Sequence, residues 1–423
     1  MRHGSKIYLV SPASDSLIEK KIEPMIHEAD SASARREFLQ FAGLASLGLI
    51  LPGLPFARVL GAKRIGELLV YVGTYTTGKS EGIYLYRLNL ASGELKHVAT
   101  TSGVINPSFL ALAPSRRYLY AVNEVEEFAG RKSGAISAFA VDQTTGQLRL
   151  LNQQASLGSD PCYLDVDAGG RFVLIANYTG GNVSVFPVQR DGRLGAVTDM
   201  KQGKGSSVNR ERQEGPHAHC IVLDPANRFA YSCDLGTDKI MIFRFDARLG
   251  KLLPVEPPWV QVKPGSGPRH LAFHPSGEYV FVLNELDSAV TAFARDRRKG
   301  SLKELQTLTT LPAGFTGTNT CADIHVSPDG RFLYCSNRGH DSIAFFKIDG
   351  RGGLTAVGQE PTGGMTPRNF AIDPTGAFLL VANQKSDNIV VFKIDQKTGR
   401  LSPTGHVAQV PSPVCLKFTA PFS

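Results

Sequence analysis

Histidine, arginine and glutamate recur in this sequence at the two ends of short apolar runs. The phrases Pro216-His217-Ala218-His219, Pro268-Arg269-His270 and Asp323-Ile324-His325 lead into such runs, and Asn284-Glu285 follows one. Imidazole and carboxylate groups can accept a proton from water, and a guanidinium can hold an anion through its planar pair of N–H donors. If the fold gathers these residues, they provide the acid, base and anion-binding groups of an active site.

His217 and His219 are two residues apart, so they would share one face of an extended strand. Such a pair can bind a metal, but no third ligand is obvious, and the sequence therefore predicts neither a metal nor an organic cofactor. The alternative is that one histidine is a general base and the other supports it through hydrogen bonds. Glu285 can orient Arg269 or act as a second base, and the sequence does not separate these two roles.

Arg269 and Arg368 each follow a proline at the start of an apolar run. They can form ion pairs with acidic residues of neighbouring strands, or they can bind an anion through the planar guanidinium. Their position at the start of the run favours anion binding.

A unit of about fifty residues recurs along the chain and would position these residues. Its second apolar run ends at Asn123, Asn177, Asp234, Asn284, Asn337 and Asn383, at intervals of 54, 57, 50, 53 and 46 residues. A turn rich in Pro or Gly precedes this run, a third run ends in Phe, and a Gly-x-Leu phrase leads into a fourth. Short β-branched and aromatic runs between tight turns predict four antiparallel strands per unit.

The seventh unit is divided between the two ends of the chain. Leu68–Tyr75, Gly82–Leu88 and Gly93-Glu94-Leu95 supply its second, third and fourth strands, and Pro413–Phe418 supplies the first. We therefore predict an all-β fold, a seven-bladed β-propeller whose ring is closed by a C-terminal strand that completes the first blade. Because the starts of first strands and the ends of second strands meet at one mouth of the channel, the polar residues above should converge there.

The 423-residue chain carries a formal charge of +8, spread without a run of Lys or Arg, which argues against nucleic-acid binding.

Ser33–Gln40, with Arg35-Arg36 and Phe38-Leu39, is similar to a twin-arginine export motif, and the apolar run Phe41–Leu54 is too short and Gly/Pro-rich for a spanning helix. We expect residues 1–62 to be an export leader read by the twin-arginine machinery and residues 63–423 to be a periplasmic propeller without a stable membrane span. The alternative is an amphipathic or disordered leader with a chance Arg-Arg pair, and Met25 is a candidate for the true start.

Six cysteines become relevant in an oxidising compartment. Pairing the strands around Asp224–Asn227 sets Cys220 opposite Tyr231 and Cys233 opposite Ala218. The two thiols would then lie on the order of 7 Å apart, too far for a disulfide. The corresponding pairing around Ser327–Gly330 sets Cys321 opposite Ser336 and Cys335 opposite Ala322, on opposite faces of the sheet. We expect the cysteines to be buried and free.

Several phrases resemble the seven-bladed lactonase family, which includes the propeller-type 6-phosphogluconolactonases and the fungal carboxy-muconate lactonising enzymes. They are Gln213–His219, Gly267–Pro275, Asn284–Leu286, Ala322–Gly330 and Gln384–Ser386. The resemblance covers roughly residues 68 to 418. It implies cofactor-free hydrolysis of a sugar lactone to its open-chain acid. The export leader is a departure from the family pattern, because 6-phosphogluconolactone is a cytoplasmic metabolite. An unphosphorylated sugar lactone is therefore the alternative substrate.

The family's proposed site residues match His217, Arg269 and Glu285, and either Arg338 or Arg368. The resemblance implies that His217, with or without Glu285, activates water while the arginines bind the anionic group and stabilise the oxyanion. Further candidates for substrate binding at the same mouth are His219, His270, Arg338, Arg368, Asn177, Asp323 and His325. The alternative function is a non-catalytic periplasmic propeller that binds a ligand or protein, but many titratable groups at one mouth favour an enzyme.

Overall fold

The computed structural model describes residues 66–421, so the predicted leader and the boundary after residue 62 lie outside the described residues. Within this range the regular structure consists of strands, and no helix is long and apolar enough to cross a membrane. Seven sheets of four antiparallel strands account for nearly all of these strands, and we number them as blades 1 to 7. The strands of each blade are given below from first to fourth.

Blade 1 contains β30 (Pro413–Thr419), β1 (Glu67–Thr74), β2 (Gly82–Asn89) and β3 (Leu95–Ser102). Blade 2 contains β4 (Leu110–Leu112), β5 (Tyr118–Asn123), β8 (Ala135–Val141) and β9 (Leu148–Ala155), with the small hairpin β6 (Glu127–Phe128) and β7 (Arg131–Lys132). Blade 3 contains β10 (Pro161–Val166), β11 (Phe172–Asn177), β12 (Asn182–Pro187) and β13 (Asp199–Gln202).

Blade 4 contains β14 (Ala218–Leu223), β15 (Phe229–Asp234), β16 (Lys239–Asp246) and β17 (Lys251–Gln261). Blade 5 contains β18 (Pro268–Phe273), β19 (Tyr279–Asn284), β20 (Ala289–Arg295) and β21 (Leu302–Thr309). Blade 6 contains β22 (Thr320–Val326), β23 (Phe332–Arg338), β24 (Ser342–Ile348) and β25 (Leu354–Pro361). Blade 7 contains β26 (Pro367–Ile372), β27 (Phe378–Asn383), β28 (Asn388–Ile394) and β29 (Leu401–Gln409).

The C-terminal strand β30 closes the ring, as the sequence predicts. It pairs antiparallel with β1, with Val72 opposite Leu416, and completes the first blade. It also contacts both neighbouring blades, because Leu110 donates its backbone N–H to Cys415 Sγ at 3.3 Å and Leu416 donates to Asn369 Oδ1 at 2.8 Å. The seven-bladed propeller prediction is therefore confirmed.

Buried tyrosines join neighbouring blades at the Gly-x-Leu phrases. In each of these pairs the tyrosine hydroxyl donates to a glycine carbonyl of the next blade, inside the core between two sheets. The pairs are Tyr71 with Gly146, Tyr120 with Gly192, Tyr231 with Gly300 and Tyr334 with Gly399, at 2.6, 3.1, 2.7 and 2.8 Å. These four glycines have φ between 72° and 85°, a region that other residues adopt only with strain. The Gly in the repeat therefore shapes the turn that receives the tyrosine.

The turn between the first and second strands is longer than the predicted cysteine pairings require. In blade 4, Asp224 N donates to Phe229 O at 2.8 Å, and the Asp224 carboxylate accepts the N–H groups of Arg228 and Phe229. The four-residue loop shifts the register by two, so Cys220 faces Cys233 and not Tyr231.

The same shift in blade 6 sets Cys335 opposite Ile324 and not Ala322, and Cys321 lies opposite Asn337 and not Ser336. The predicted pairings were therefore wrong. All six cysteines lie in the described part of the chain, and their predicted burial is confirmed.

Candidate active site

A polar cavity of about 290 Å³ lies at the mouth where first strands begin and second strands end. The register of blade 5 explains this convergence, because Pro268 at the start of β18 pairs with Asn284 at the end of β19. Arg269 and Glu285, sixteen positions apart, are therefore neighbours. The lining residues come from blades 2 to 7 and from the loop before blade 4: Glu124, Cys162, Tyr178, Arg212, His219, Glu285, Thr320, Arg338 and Arg368.

Glu285 is the anchor of an arginine cluster. Its carboxylate accepts Arg212 Nη2 at 2.7 Å and Arg269 Nε at 2.9 Å, and it lies 3.0 Å from Arg338 Nη2. Burial would raise the pKa of Glu285, but Arg338, Arg269 and Arg212 outweigh it and lower the pKa to about 2. Glu285 is therefore a charged partner that orients the three guanidinium groups.

Arg212 belongs to the loop between β13 and β14, one residue before the phrase Gln213–His219. Gln213 is fully buried and fixes this loop, since its Nε2 donates to Leu235 O at 2.9 Å and its backbone N–H donates to Asn209 O at 2.7 Å. Arg212 Nη2 also lies 3.3 Å from the Tyr178 hydroxyl. Arg212 could not be predicted from the sequence, because a loop residue carries no periodic signal that shows where its side chain points.

A hydrogen-bonded chain extends from Glu285 into the channel. Arg269 Nη1 donates to His270 Nε2 at 3.2 Å, so His270 must carry its proton on Nδ1, which donates to Asp323 Oδ1 at 2.8 Å. Burial, together with Arg269, lowers the pKa of His270 to about 3, while His325 and His270 hold the pKa of Asp323 well below its usual range against burial. A neutral imidazole and a charged carboxylate thus hold Arg269 in place.

Of the histidine pair, His219 lines the cavity, whereas His217 is not part of the lining and packs against Tyr178. The His217 ring stacks on the Tyr178 ring at 4.6 Å, with its Nδ1 3.2 Å from Tyr178 O and its Nε2 3.0 Å from Glu214 Oε1. Both ring nitrogens are therefore engaged by neighbouring acceptors. His219 Nε2 lies 3.9 Å from Glu285 Oε2, and burial together with Arg269 lowers the His219 pKa well below its usual value. These contacts favour the supporting role for His217.

Arg368 and Glu124 form the opposite wall of the cavity. Arg368 Nη2 lies 3.8 Å from Glu124 Oε1, and the Arg368 guanidinium lies 5.3 Å from the centre of the Tyr75 ring. Arg212 and Arg338 also line the cavity, so three arginines share its lining with two glutamates. Because His219 is neutral, the charged side chains that line the cavity have an excess of one positive charge, and Arg269 contacts Glu285 next to them.

The predicted site residues separate into three groups. His219, Glu285, Arg338 and Arg368 line the cavity, and Arg269 and His270 line a small void that adjoins it. Asp323 and His325 continue the network deeper in the channel, where His325 Nε2 lies 3.0 Å from Asp323 Oδ2.

Asn177 does not fit its predicted substrate-binding role. It is fully buried, and its amide nitrogen donates to Asn182 Oδ1 at 2.6 Å and Ser156 O at 3.2 Å. These bonds join it to β12 of blade 3 and to the residue that follows β9 of blade 2, and they take no part in the cavity. Among residues 66–421 no group of three or more His, Cys, Asp or Glu side chains is arranged to hold a metal ion.

Fold and site together define a seven-bladed propeller with a cationic cavity at one mouth of its channel. The family model described as "Lactonase, 7-bladed beta-propeller" matches residues 69–418, and the chain belongs to this family. A Bacillus subtilis relative named 6-phosphogluconolactonase is 38% identical over 349 residues, which cover 82% of this chain and 97% of the relative.

Two solved structures are similar over nearly their whole length. A putative 6-phosphogluconolactonase from Bacteroides fragilis has 40% identity and a TM-score of 0.79, covering 85% of this chain and 99% of that chain. The periplasmic gluconolactonase of Pseudomonas aeruginosa has 36% identity and a TM-score of 0.79, covering 84% of this chain and 99% of that chain.

Proposed function

We propose that this chain hydrolyses a sugar lactone to its open-chain hydroxy acid. The observation that carries the proposal is the excess of arginine around the mouth cavity. When water adds to a lactone carbonyl, negative charge develops on the carbonyl oxygen, and N–H donors already aimed at that oxygen stabilise it. The relatives named for lactonase activity support the same reaction class.

Arg338 is the arginine whose charge we expect a bound anion to compensate. Its Nη2 lies 2.8 Å from Cys321 O, whereas its Nε is buried and has no hydrogen-bond partner among the described residues. Burial, with Arg269 and Arg368 nearby, lowers the pKa of Arg338 to about 10 despite the opposing effect of Glu285. A bound carboxylate, phosphate or oxyanion would compensate this charge.

The test compares δ-gluconolactone with its 6-phosphate, because the names of the relatives differ in this group. Acid release is followed in a pH-stat near pH 6.5, where spontaneous hydrolysis is slow enough to subtract. We expect purified protein at catalytic concentration to accelerate acid release from at least one lactone. If neither is accelerated while the protein is folded, the alternative of a non-catalytic binding propeller replaces this proposal.

Arg338→Gln is expected to raise KM by about tenfold to a hundredfold, which corresponds to the loss of one charge-assisted hydrogen bond. The effect should be larger for the phosphorylated lactone if Arg338 binds the phosphate, and equal for both if it binds the carbonyl oxygen. Arg351→Gln is the matched control, because Arg351 is an exposed arginine of the same blade outside the cavity. Unchanged kinetics in Arg338→Gln would contradict the anion-binding role.

We also propose that residues 1–62 direct the chain to the periplasm through the twin-arginine machinery. The support is the Arg35-Arg36 pair, followed by Phe38-Leu39 and an apolar run. The double substitution Arg35→Lys and Arg36→Lys keeps the charge but changes the motif. In a bacterium with an active twin-arginine pathway, it should leave the protein in the cytoplasmic fraction, as measured by fractionation and immunoblotting. Export of the variant at the wild-type level would contradict this route.

A further inference from the structure

We propose that Glu124, which the sequence analysis did not select, is the catalytic base that takes the proton from the attacking water. This proposal rests on the lactone hydrolysis proposed above. Glu124 follows β5 in blade 2, on the wall of the cavity opposite Glu285. It lines both the mouth cavity and an adjoining small void of about 10 Å³, which is close to the room that one water molecule needs.

The contacts of Glu124 hold the carboxylate in place with neutral donors. The Tyr75 hydroxyl donates to Oε1 at 2.8 Å, and the Ser108 hydroxyl donates to Oε2. Arg368 Nη2, at 3.8 Å from Oε1, is beyond hydrogen-bond distance. Each carboxylate oxygen has two lone-pair directions, so both oxygens can still accept a further proton donor. The Glu124 side chain is 17% exposed, which leaves it accessible from the cavity.

The other titratable groups around the cavity are poor bases. The Glu285 carboxylate is compensated by three arginines, with its pKa near 2, and the His219 pKa is far below its usual range. Burial raises the pKa of the Cys162 thiol and also that of the Tyr178 hydroxyl, so neither is an anion at neutral pH. The groups that face Glu124 are Tyr75 of blade 1, Arg368 of blade 7 and Cys162 of blade 3, with Arg269 and His270 of blade 5 across the small void.

In this mechanism the Glu124 carboxylate carries one proton from the attacking water to the ring oxygen. The water oxygen bonds to the lactone carbonyl carbon, one water proton passes to the Glu124 carboxylate, and the carbonyl π electrons move to the oxygen that the arginines stabilise. When this tetrahedral intermediate collapses, the bond between the carbonyl carbon and the ring oxygen breaks. Glu124 returns the proton to the ring oxygen, which becomes the hydroxyl of the open-chain acid.

Glu124→Gln tests the assignment, because it keeps the shape of the side chain and removes its basicity. We expect kcat to fall about 10²- to 10⁴-fold with KM changed less than about threefold, and the low-pH limb of the kcat/KM profile to disappear. Glu127→Gln is the matched control, since Glu127 is an exposed glutamate three residues further along. A kcat above a tenth of the wild-type value, or an effect confined to KM, would overturn the proposal.

Tyr75→Phe is a second test that does not remove the base. The Tyr75 hydroxyl donates to Glu124 Oε1 and stabilises the charged carboxylate, so its loss should move the low-pH limb of the kcat/KM profile to higher pH. An unmoved limb in folded Tyr75→Phe would contradict the assignment. Wild-type protein that accelerates neither lactone would instead refute the proposed function, so the two failures are distinguishable.

Discussion

A chain that lacks residues 413–423 is expected to lose cooperative folding. This deletion removes β30, which buries Val414, Cys415 and Leu416 and forms the ladder with β1. Each large buried side chain contributes about 1.5–3 kcal/mol, and each ladder hydrogen bond about 0.5–1.5 kcal/mol. The combined loss is comparable to the about 5–15 kcal/mol by which domains are stable.

The measurement is thermal unfolding followed by circular dichroism. The truncated chain should show a broad transition or none, and it should bind a hydrophobic dye. Deletion of residues 420–423 alone is the control, because it leaves β30 whole, and it should melt within a few degrees of the full chain. A sharp transition at the wild-type Tm after loss of β30 would contradict closure of the ring by this strand.

The repeat and the closure of the ring by the C-terminal strand could be predicted, because short sequence patterns indicate both. The sequence shows apolar runs that end at Asn or Asp at regular intervals, and a first unit that lacks its first strand. These features, with the rule that sheet edges must be covered, are enough to predict the blades and the closing strand. The convergence of Arg269 with Glu285 follows from the same topology. The physical reason for the Gly-x-Leu phrase could not be predicted, because the tyrosine that donates to each glycine lies 65 to 75 residues away.

The errors arose where a side chain changes the path of the backbone or points across a loop. Asp224 lengthens the turn by accepting two backbone N–H groups, so the cysteine register moved by two. Asn177 has the same place at the end of a second strand as Asn284, but its amide nitrogen bonds Asn182 and Ser156 away from the cavity. Arg212 reaches Glu285 across 73 positions, and nothing in the sequence indicates this contact.

Glu285→Gln is expected to lower the free energy of unfolding by about 3–5 kcal/mol at pH 7, because it leaves Arg212, Arg269 and Arg338 without their shared carboxylate. The folded-state pKa of Glu285 is lowered from 4.5 to about 2. Its contribution is therefore fully present above pH 4.5 and is lost as the pH falls toward 2. Urea unfolding at pH 7, 4 and 3 should show the gap between wild type and variant narrowing as the pH falls.

Glu278→Gln is the control, because Glu278 is an exposed glutamate of the same blade, and its stability should stay within about 0.5 kcal/mol of wild type. Unchanged stability of Glu285→Gln at pH 7 would mean that the arginine cluster does not depend on this carboxylate.

Measurements of activity distinguish the roles of Glu285 and Glu124. If Glu285 only orients arginines while Glu124 accepts the proton, Glu285→Gln should lower kcat/KM yet keep the low-pH limb of its kcat/KM profile, because the proposed base Glu124 is still present.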